Sequence, residues 1–367
     1  MLPARQHRAA WIRLGCGGDL RGLRTDMSIV LLARDLGLSI STVSRALNGY
    51  HDVAPATKQR VLKRAREIGY RPNPGARRLK SGRSSLVGVI LPAASDGVRF
   101  VDSVASSLLG GVEVELENGG YGLIATMQTR NDLEREAALY GNFIKGGWVD
   151  ALLLVRTRVA DPRVELVRKA HIPFVTYGRT ETAEPYAWVD TDNEKAFYLV
   201  TLRQIEFGHE RIALLNGPLE YNFVRLREKG YTRALAKHRI APDRLLMLNG
   251  DLSEVSGYAL CRSLLVSAVP PTAIVCATDA MAIGAIAACR ERGMAVGHEI
   301  SIAGYGNSSA SGFCDPPLTT IDHAVFENGR HIGQSLLRLL RAEGKPADIH
   351  YLEPVVLVPR KSDCPRK

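Results

Sequence analysis

From residue 84 onward, short apolar runs alternate with longer amphipathic patterns. Because strands that alternate with helices form βαβ units, this order predicts parallel sheets covered by helices on both faces. The runs form two sets of four, separated at residues 180–188, where Glu181, Glu184 and Pro185 interrupt the rhythm. The sequence therefore predicts an α/β core of two similar lobes. The runs are LVGVILP, YGLIATM, DALLLV and IPFVTYG, followed by RIALLNG, LLMLNG, TAIVCAT and ISIAGYG.

Positive charge is concentrated in a short block that precedes this core. The chain has a formal net charge of +10, and residues 27–83 contain twelve Lys or Arg against three Asp or Glu. Residues 1–26 add five Arg and two Asp, so the residues after 83 are close to neutral in sum. A basic block attached to a near-neutral body is typical of a polyanion-binding domain carried by a separate domain.

The basic block contains three helical patterns. An apolar stripe predicts a short helix from about residue 29 that ends at Gly37, a common stop for helices. Ser39 is a good N-cap for a second helix with small polar side chains on its outward face, and Pro55 opens a third, basic helix that runs to about Ile68. Two helices joined by a tight turn predict a helix-turn-helix, whose second helix enters the major groove of DNA.

Three motifs in this block carry a resemblance to a known family. They are LARDLGLSISTVSRALNG at residues 32–49, then V-x-P-x-T-x-x-R-V, then GYRPN-x-x-A-R-x-L-K-x-G-R. Through them the chain resembles the lac repressor and purine repressor family over nearly its whole length, about residues 27–360. The resemblance implies an N-terminal all-α helix-turn-helix head, joined by a hinge helix to an α/β two-lobed core like that of periplasmic binding proteins. It also implies a homodimeric repressor of pseudo-palindromic, double-stranded operator DNA.

The resemblance implies that Ile40, Ser41 and Arg45 read bases in the major groove. Arg45 can donate a fork of hydrogen bonds to guanine, Ser41 can contact most bases, and Ile40 suits a thymine methyl group. The residues better placed for phosphates are Thr42, Ser44 and Asn48.

The segment after the third helix has proline and glycine at intervals that make it a poor autonomous helix. The resemblance implies a hinge helix here that orders on operator DNA and lies in the minor groove. Leu79 matches the leucine that the family wedges between base steps, and Lys80 follows it. Without the resemblance, the segment would be interpreted as a flexible basic linker.

Parallel sheets bind ligands beyond the carboxyl ends of their strands, so a two-lobed core predicts a small-molecule site in the cleft between its lobes. The resemblance implies a small polar effector there, a sugar or a sugar derivative, with closure of the lobes around it. Arg227 occupies the place of the effector-binding arginine of the family, and Asp279 matches part of its Asn-Asp pair. Arg179 and Asp102 follow strand ends at the pocket wall.

Several cleft positions differ from the family pattern. Gly306, followed by Asn307, replaces the usual ligand-binding carboxylate, and Leu252 replaces an aromatic ring that stacks on the ligand. Asp102 begins a segment where the family has Asn-Pro-Phe-Phe. An arginine offers five fixed donors that suit hydroxyls or a carboxylate, and loss of the acid removes repulsion toward an anionic ligand. Loss of the aromatic platform disfavours nucleobases.

These features predict the following boundaries. Residues 1–26 are interpreted as an unstructured or non-native extension, with Met27 as the natural start. The other predicted segments are a DNA-binding domain at 27–72, a hinge at 73–83, and a core at 84–360 with lobe 1 at about 84–181 and 319–346 and lobe 2 at about 182–318 and 347–360.

Other classes of function find less support. The chain lacks the G-x-S-x-G, P-loop and G-x-G-x-x-G motifs, so no catalytic residue or cofactor is expected, and His209 is interpreted as a packing residue. The six cysteines have no C-x-x-C pair or zinc-ligand spacing, which indicates free thiols, no metal and a cytoplasmic, nucleoid-associated protein. No apolar stretch is long enough to span a membrane. A solute-binding receptor with the same core, or an α/β enzyme, remains the alternative.

Overall fold

The computed structural model describes residues 29–47, 50–70, 83–92, 103–128 and 132–366. The chain divides into two compact units between residues 82 and 83. Predictions that lie outside the described residues concern residues 1–26, the hinge segment up to residue 82, and the site residues Asn48, Leu79, Lys80 and Asp102.

The first unit contains three helices whose ends follow from local chemistry. Helix α1 (Ile29–Leu36) ends because Gly37 has a φ of +64°, where glycine is favoured, and the amide of Leu38 donates to the carbonyl of Ala33 at 2.9 Å. Helix α2 (Ile40–Leu47) begins where Ser39 Oγ accepts the amide of Thr42 at 3.0 Å. Helix α3 (Pro55–Glu67) has proline in its first turn.

A small apolar core joins the three helices. Helix α2 buries Val43 and Ala46, and its half-buried Leu47 packs against the same core. Arg64 of α3 forms an ion pair with Asp35 of α1 at the exposed edge of this core. The buried apolar residues are Leu32, Ala33, Val43, Ala46, Val53, Val61 and Ala65.

The second unit is the α/β core. Its strands are β1 (Leu86–Leu91), β2 (Gly122–Met127), β3 (Ala151–Leu154), β4 (Phe174–Tyr177), β5 (Ala187–Thr191), β6 (Ile212–Asn216), β7 (Met247–Asn249), β8 (Ala273–Cys276), β9 (Ser301–Ala303), β10 (Thr320–Asp322), β11 (His350–Glu353) and β12 (Val356–Val358). Its helices are α4 (Ser103–Asn118), α5 (Leu133–Lys145), α6 (Pro162–Lys169), α7 (Asn193–Glu206), α8 (Asn222–Lys237), α9 (Glu254–Leu265), α10 (Asp279–Glu291), α11 (Ser309–Phe313) and α12 (Val325–Leu340).

Two parallel sheets form the two lobes of the core. The sheet of lobe 1 has the strand order β11-β5-β4-β3-β1-β2, and the sheet of lobe 2 has the order β7-β6-β8-β9. Strands β10 and β12 pair antiparallel next to them. The central strands β1, β3, β6 and β8 are almost fully buried, as expected for parallel sheets covered on both faces.

The boundary between the lobes lies later in the chain than residues 180–188, where the sequence placed it. Strand β5 pairs with β4, with Val175 opposite Ala187, and therefore belongs to lobe 1. The sequence A-W-V-D-T of this strand ends in polar residues, and no long apolar run distinguishes it from a loop. The chain enters lobe 2 after Thr191.

The end of the chain also differs from the prediction, which assigned residues 347–360 to lobe 2. Strand β11 pairs with β5 of lobe 1, with His350 opposite Trp188. The chain then returns through β12, and the carbonyl of Ser362 accepts the amide of Ile302 in lobe 2 at 2.8 Å. The sequence missed this path because the alternating polar and apolar pattern of an edge strand does not show which sheet it joins.

Helix α12 packs closely on helix α4 in lobe 1. A Cβ added at Gly111 would lie 2.1 Å from the carbonyl oxygen of Phe326, and one at Gly329 would lie 2.1 Å from that of Leu108. Glycine at these positions therefore allows the two backbones to approach. Among the described residues, no helix is long and apolar enough to cross a membrane.

We expect Gly111→Ala to lower the free energy of unfolding by about 1–3 kcal/mol, because the added methyl group meets backbone that cannot move aside. Gly110→Ala is the matched control on the same helix, since its nearest neighbour is a Phe326 ring atom at 3.7 Å. The control should be neutral or stabilising, as alanine favours helix over glycine. Equal effects of the two substitutions in denaturant unfolding would contradict this account of the packing.

Candidate functional site

The outward face of helix α2 presents the residues that the sequence predicted to read bases. Ile40 is 48% exposed, although it is a large apolar side chain, and Ser41 and Arg45 are exposed beside it. Thr42 and Ser44 are half-buried on the flanks of this face. An exposed apolar residue among short polar ones gives a helix surface that can enter a groove closely.

Arg45 has a partner that the sequence did not indicate. Its Nε donates to Asp52 Oδ1 at 3.1 Å, and its guanidinium carbon lies 5.6 Å from the centre of the Tyr50 ring. Both members of the ion pair are about half exposed, so the pair contributes little to stability. Its effect is to orient the arginine fork on the surface of α2.

In the core, the predicted effector residues that the structure describes follow the carboxyl ends of strands in the two sheets. Arg227, on helix α8, is 6% exposed. Its Nε donates to Asn193 Oδ1 at 2.8 Å, and its Nη1 donates to the carbonyl of Ala277 at 2.6 Å. The guanidinium carbon lies 3.9 Å from the centre of the Tyr305 ring and 4.6 Å from that of Phe223. Burial lowers the pKa of Arg227 from its usual value.

A chain of hydrogen bonds connects Arg227 to lobe 1. Asn193 begins helix α7 of lobe 2, and its Nδ2 lies 3.4 Å from Asp190 Oδ1 on strand β5. The other oxygen of Asp190 accepts Arg179 Nε at 2.7 Å. The sequence indicated Arg179 but gave no sign of the roles of Asp190 and Asn193.

Asp279 makes contacts with the protein that the sequence did not indicate. Its carboxylate accepts the amide of Ser308 at 2.7 Å and the hydroxyls of Ser308 and Thr320. Burial raises the pKa of Asp279, while these hydrogen bonds oppose that shift. The residue therefore fixes the loop after β9 against β10.

Asn307 is also held by protein groups. Its Nδ2 donates to Asp322 Oδ2 at 2.9 Å, and its Oδ1 accepts Arg360 Nη2 at 2.6 Å. Leu252 has a φ of +74° and lies over Gly217, where an added Cβ would come within 2.6 Å of its Cδ2. These contacts place Asn307 and Leu252 in the wall of the cleft. That either residue contacts a ligand stays a prediction.

His323 is a further cleft residue that the sequence did not indicate. It lies on the segment that returns the chain from lobe 2 to lobe 1, is 3% exposed, and stacks on Tyr305 with ring centres 4.5 Å apart. Its Nδ1 has no hydrogen-bond partner among the described residues. Burial and the nearby charge of Arg227 lower the pKa of His323 to about 3, against the weaker opposing effect of Asp322.

The two lobes also touch through a pair of loops, which we call the interlobe strap: residues 157–159 of lobe 1 and residues 220–222 of lobe 2. The amide of Val159 donates to the carbonyl of Glu220 at 3.0 Å, and the amide of Asn222 donates to that of Thr157 at 3.1 Å. Asn222 Nδ2 adds a bond to the carbonyl of Arg179 at 2.9 Å. The strap holds the lobes together next to the Arg227 network.

His209 lies away from the cleft. Its ring nitrogens bond to Thr272 Oγ1 and to the carbonyl of Cys364, both at 2.9 Å, so it fastens the carboxyl-terminal segment to lobe 2. This contact agrees with its interpretation as a packing residue.

Two family models match parts of this chain. Residues 32–73 match bacterial regulatory proteins of the lacI family, and residues 203–362 match a periplasmic binding protein-like domain. The first match includes helices α2 and α3, and the second lies largely in lobe 2.

Two curated relatives extend the likeness over most of the chain. The HTH-type transcriptional regulator AglR of Rhizobium meliloti (strain 1021) is 35% identical over 83% of this chain and 86% of its own length. Catabolite control protein A of Priestia megaterium is 31% identical over 86% of this chain and 92% of its own length. The chain therefore belongs to the LacI family of bacterial transcriptional regulators, which confirms the resemblance found in the sequence and the prediction that it is not an enzyme.

Solved structures show the same architecture. A lac repressor dimer bound to operator and the anti-inducer ONPF matches with a TM-score of 0.81 and 28% identity, over 92% of this chain and 99% of that one. A complex of the transcriptional regulator CelR with cellobiose matches with a TM-score of 0.70 and 27% identity, over 91% and 99%. The predicted fold class, a helix-turn-helix head with a two-lobed core, is confirmed.

The burial of His323 predicts a pH dependence of stability. The unfolded chain takes up a proton on this histidine below about pH 6.5, whereas the folded chain resists protonation down to about pH 3. The free energy of unfolding should therefore fall as the pH drops through this window and be fully retained above it. Tyr305, Arg227 and Asp322 are the titratable groups that face the ring.

We expect His323→Gln to flatten the dependence of the melting temperature on pH between 7 and 5. His298→Gln is the control, because His298 is exposed and distant in sequence from the cleft segment. If His323→Gln and the wild type lost stability in parallel on acidification, the imidazole would not be held neutral in the folded protein.

Proposed function

We propose that this chain binds a two-fold symmetric operator as a homodimer and that a small polar effector, a sugar or sugar derivative, controls this binding from the cleft of the core. One observation carries the proposal: a single chain joins an exposed helix-turn-helix surface to a two-lobed core with a buried arginine between its lobes. On this proposal the protein acts in the cytoplasm, where the operator DNA lies.

The head supplies the DNA contacts in this proposal. Arg45 donates its fork to guanine, Ser41 contacts a neighbouring base, and Ile40 packs on a thymine methyl group. For Arg45 to do so, it exchanges Asp52 for the base edge, and the half exposure of this ion pair makes the exchange inexpensive. Phosphate contacts come from Thr42, Ser44 and Asn48, and the hinge contributes Leu79 as a wedge and Lys80 as a cation.

The core supplies the effector contacts. Arg227 has two donors engaged by Asn193 and Ala277 and is the proposed anchor of the ligand. Arg179, Asp279, Leu252, Asn307 and Asp102 complete the proposed site. The CelR structure with cellobiose and a lac repressor structure bound to ONPG support a ligand of this size and polarity.

The full chain is first used to select a specific DNA sequence from a random pool. We expect Arg45→Ala to weaken binding to that sequence by about 1–3 kcal/mol, because one bidentate base contact is lost. Binding to unrelated DNA should change little. The measurement is fluorescence anisotropy with both DNAs at one fixed salt concentration.

Arg60→Ala is the matched control, because Arg60 is exposed on α3 and outside the recognition helix. It should weaken binding to both DNAs alike, as expected for a phosphate contact. Selection that yields no shared, two-fold symmetric sequence would refute the operator part of the proposal. If Arg45→Ala lowered the affinity for both DNAs equally, Arg45 would not be a base-reading residue.

A further inference from the structure

The positive charge of Arg227 is buried without an acidic partner among the described residues. Its protein partners are an amide oxygen, a backbone carbonyl and aromatic rings, which are all neutral. No described Asp or Glu lies within 4.0 Å of its nitrogens. A buried charge that lacks a counter-charge is costly to the folded protein.

The acids nearest to this arginine are committed to other donors. Asp190 accepts Arg179 Nε at 2.7 Å and the amide of Thr191 at 2.8 Å, and it reaches Arg227 only through Asn193. Asp279 accepts donors from Ser308 and Thr320. The charge of Asp190 acts on Arg227 from a distance, and among the described residues no carboxylate forms an ion pair with the guanidinium.

Position 306 provides no side chain that could supply an acid. Gly306 follows Tyr305 and has a φ of +134°, a backbone conformation that side chains disfavour. A Cβ placed there would lie 3.5 Å from Asp279 Oδ2 and 4.0 Å from Val104 Cγ2. It would therefore lie between Asp279 of lobe 2 and Val104 of lobe 1.

We propose that the effector carries its own carboxylate, as a uronic or aldonic acid does, and that this group pairs with Arg227. The inference rests on the proposed function and specifies the chemical class of its ligand. A carboxylate matches the planar fork of arginine with two parallel hydrogen bonds and supplies the missing negative charge. The hydroxyl groups of a neutral sugar can accept hydrogen bonds but leave the buried cation without a counter-charge.

Matched pairs of sugars test this class. The full chain is titrated with galacturonate against galactose, glucuronate against glucose, and cellobionate against cellobiose, with sodium acetate at equal concentration as the control for a bare carboxylate. Binding is measured by calorimetry and by the shift in melting temperature. At least one acid should bind about tenfold or more tightly than its neutral parent.

Variants of helix α8 test whether the preference for acidic sugars depends on the guanidinium of Arg227. Arg227→Gln should abolish the preference for the acid, and Arg227→Lys, which retains the charge without the fork, should preserve it at lower affinity. Arg225→Gln is the control, since Arg225 is exposed on the same helix and should leave the preference unchanged. Circular dichroism and operator binding show whether each variant is folded.

The outcomes separate this inference from the proposed function. If a neutral parent binds as tightly as its acid, or if no acid in the panel binds, the inference is wrong. A neutral sugar that alters operator affinity would then leave the proposed function standing. If the wild-type chain selects no specific DNA, the proposed function itself fails, whichever sugar binds.

Discussion

The guanidinium of Arg227 is buried at the place where the two lobes of the core meet, and the surrounding structure is organised around that charge. The Tyr305 and Phe223 rings lie close to it and Asn193 accepts its Nε. Asn193 is also the residue at which the chain enters lobe 2. The arginine therefore connects the ligand cleft to a point where the chain crosses between lobes, so a ligand that binds it acts directly on their connection.

The interlobe strap is a second connection between the lobes, and it does not depend on a buried charge between them. It consists of backbone hydrogen bonds between loops, and its lobe 1 half is supported by a buried ion cluster. Arg163 Nη1 donates to Glu136 at 3.0 Å and its Nη2 to Asp161 at 2.6 Å, while Arg158 Nη2 donates to Glu136 at 2.7 Å. Rigid support under one loop means that lobe movement must break strap bonds rather than deform the loop.

Local chemistry made much of the fold predictable. Gly37, Ser39 and Pro55 marked the helix ends of the head, and long apolar runs marked the buried strands. Strand β5 was missed because its short run ends in polar residues, and β11 was assigned to the wrong lobe because an edge strand requires few apolar residues. In the cleft, Arg227 was found through the motif around it.

The contacts of the cleft were less accessible to sequence reasoning. The bond from Arg227 to Asn193 joins residues 34 positions apart, and no local pattern encodes it. The carboxylate bonds of Asp279 to Ser308 and Thr320 could not be predicted, because they depend on how the loop after β9 folds. His323 lies in a segment without a motif, and its burial follows from packing against Tyr305.

The central claim is that the cleft and the DNA-binding head are energetically coupled, and thermodynamic reciprocity tests it most directly. The affinity of a sugar identified as a ligand is measured with the free protein and with the protein saturated by its selected operator. The account predicts that operator changes sugar affinity by the factor, typically about 5–150-fold, by which the sugar changes operator affinity. Identical sugar affinities with and without operator would contradict it.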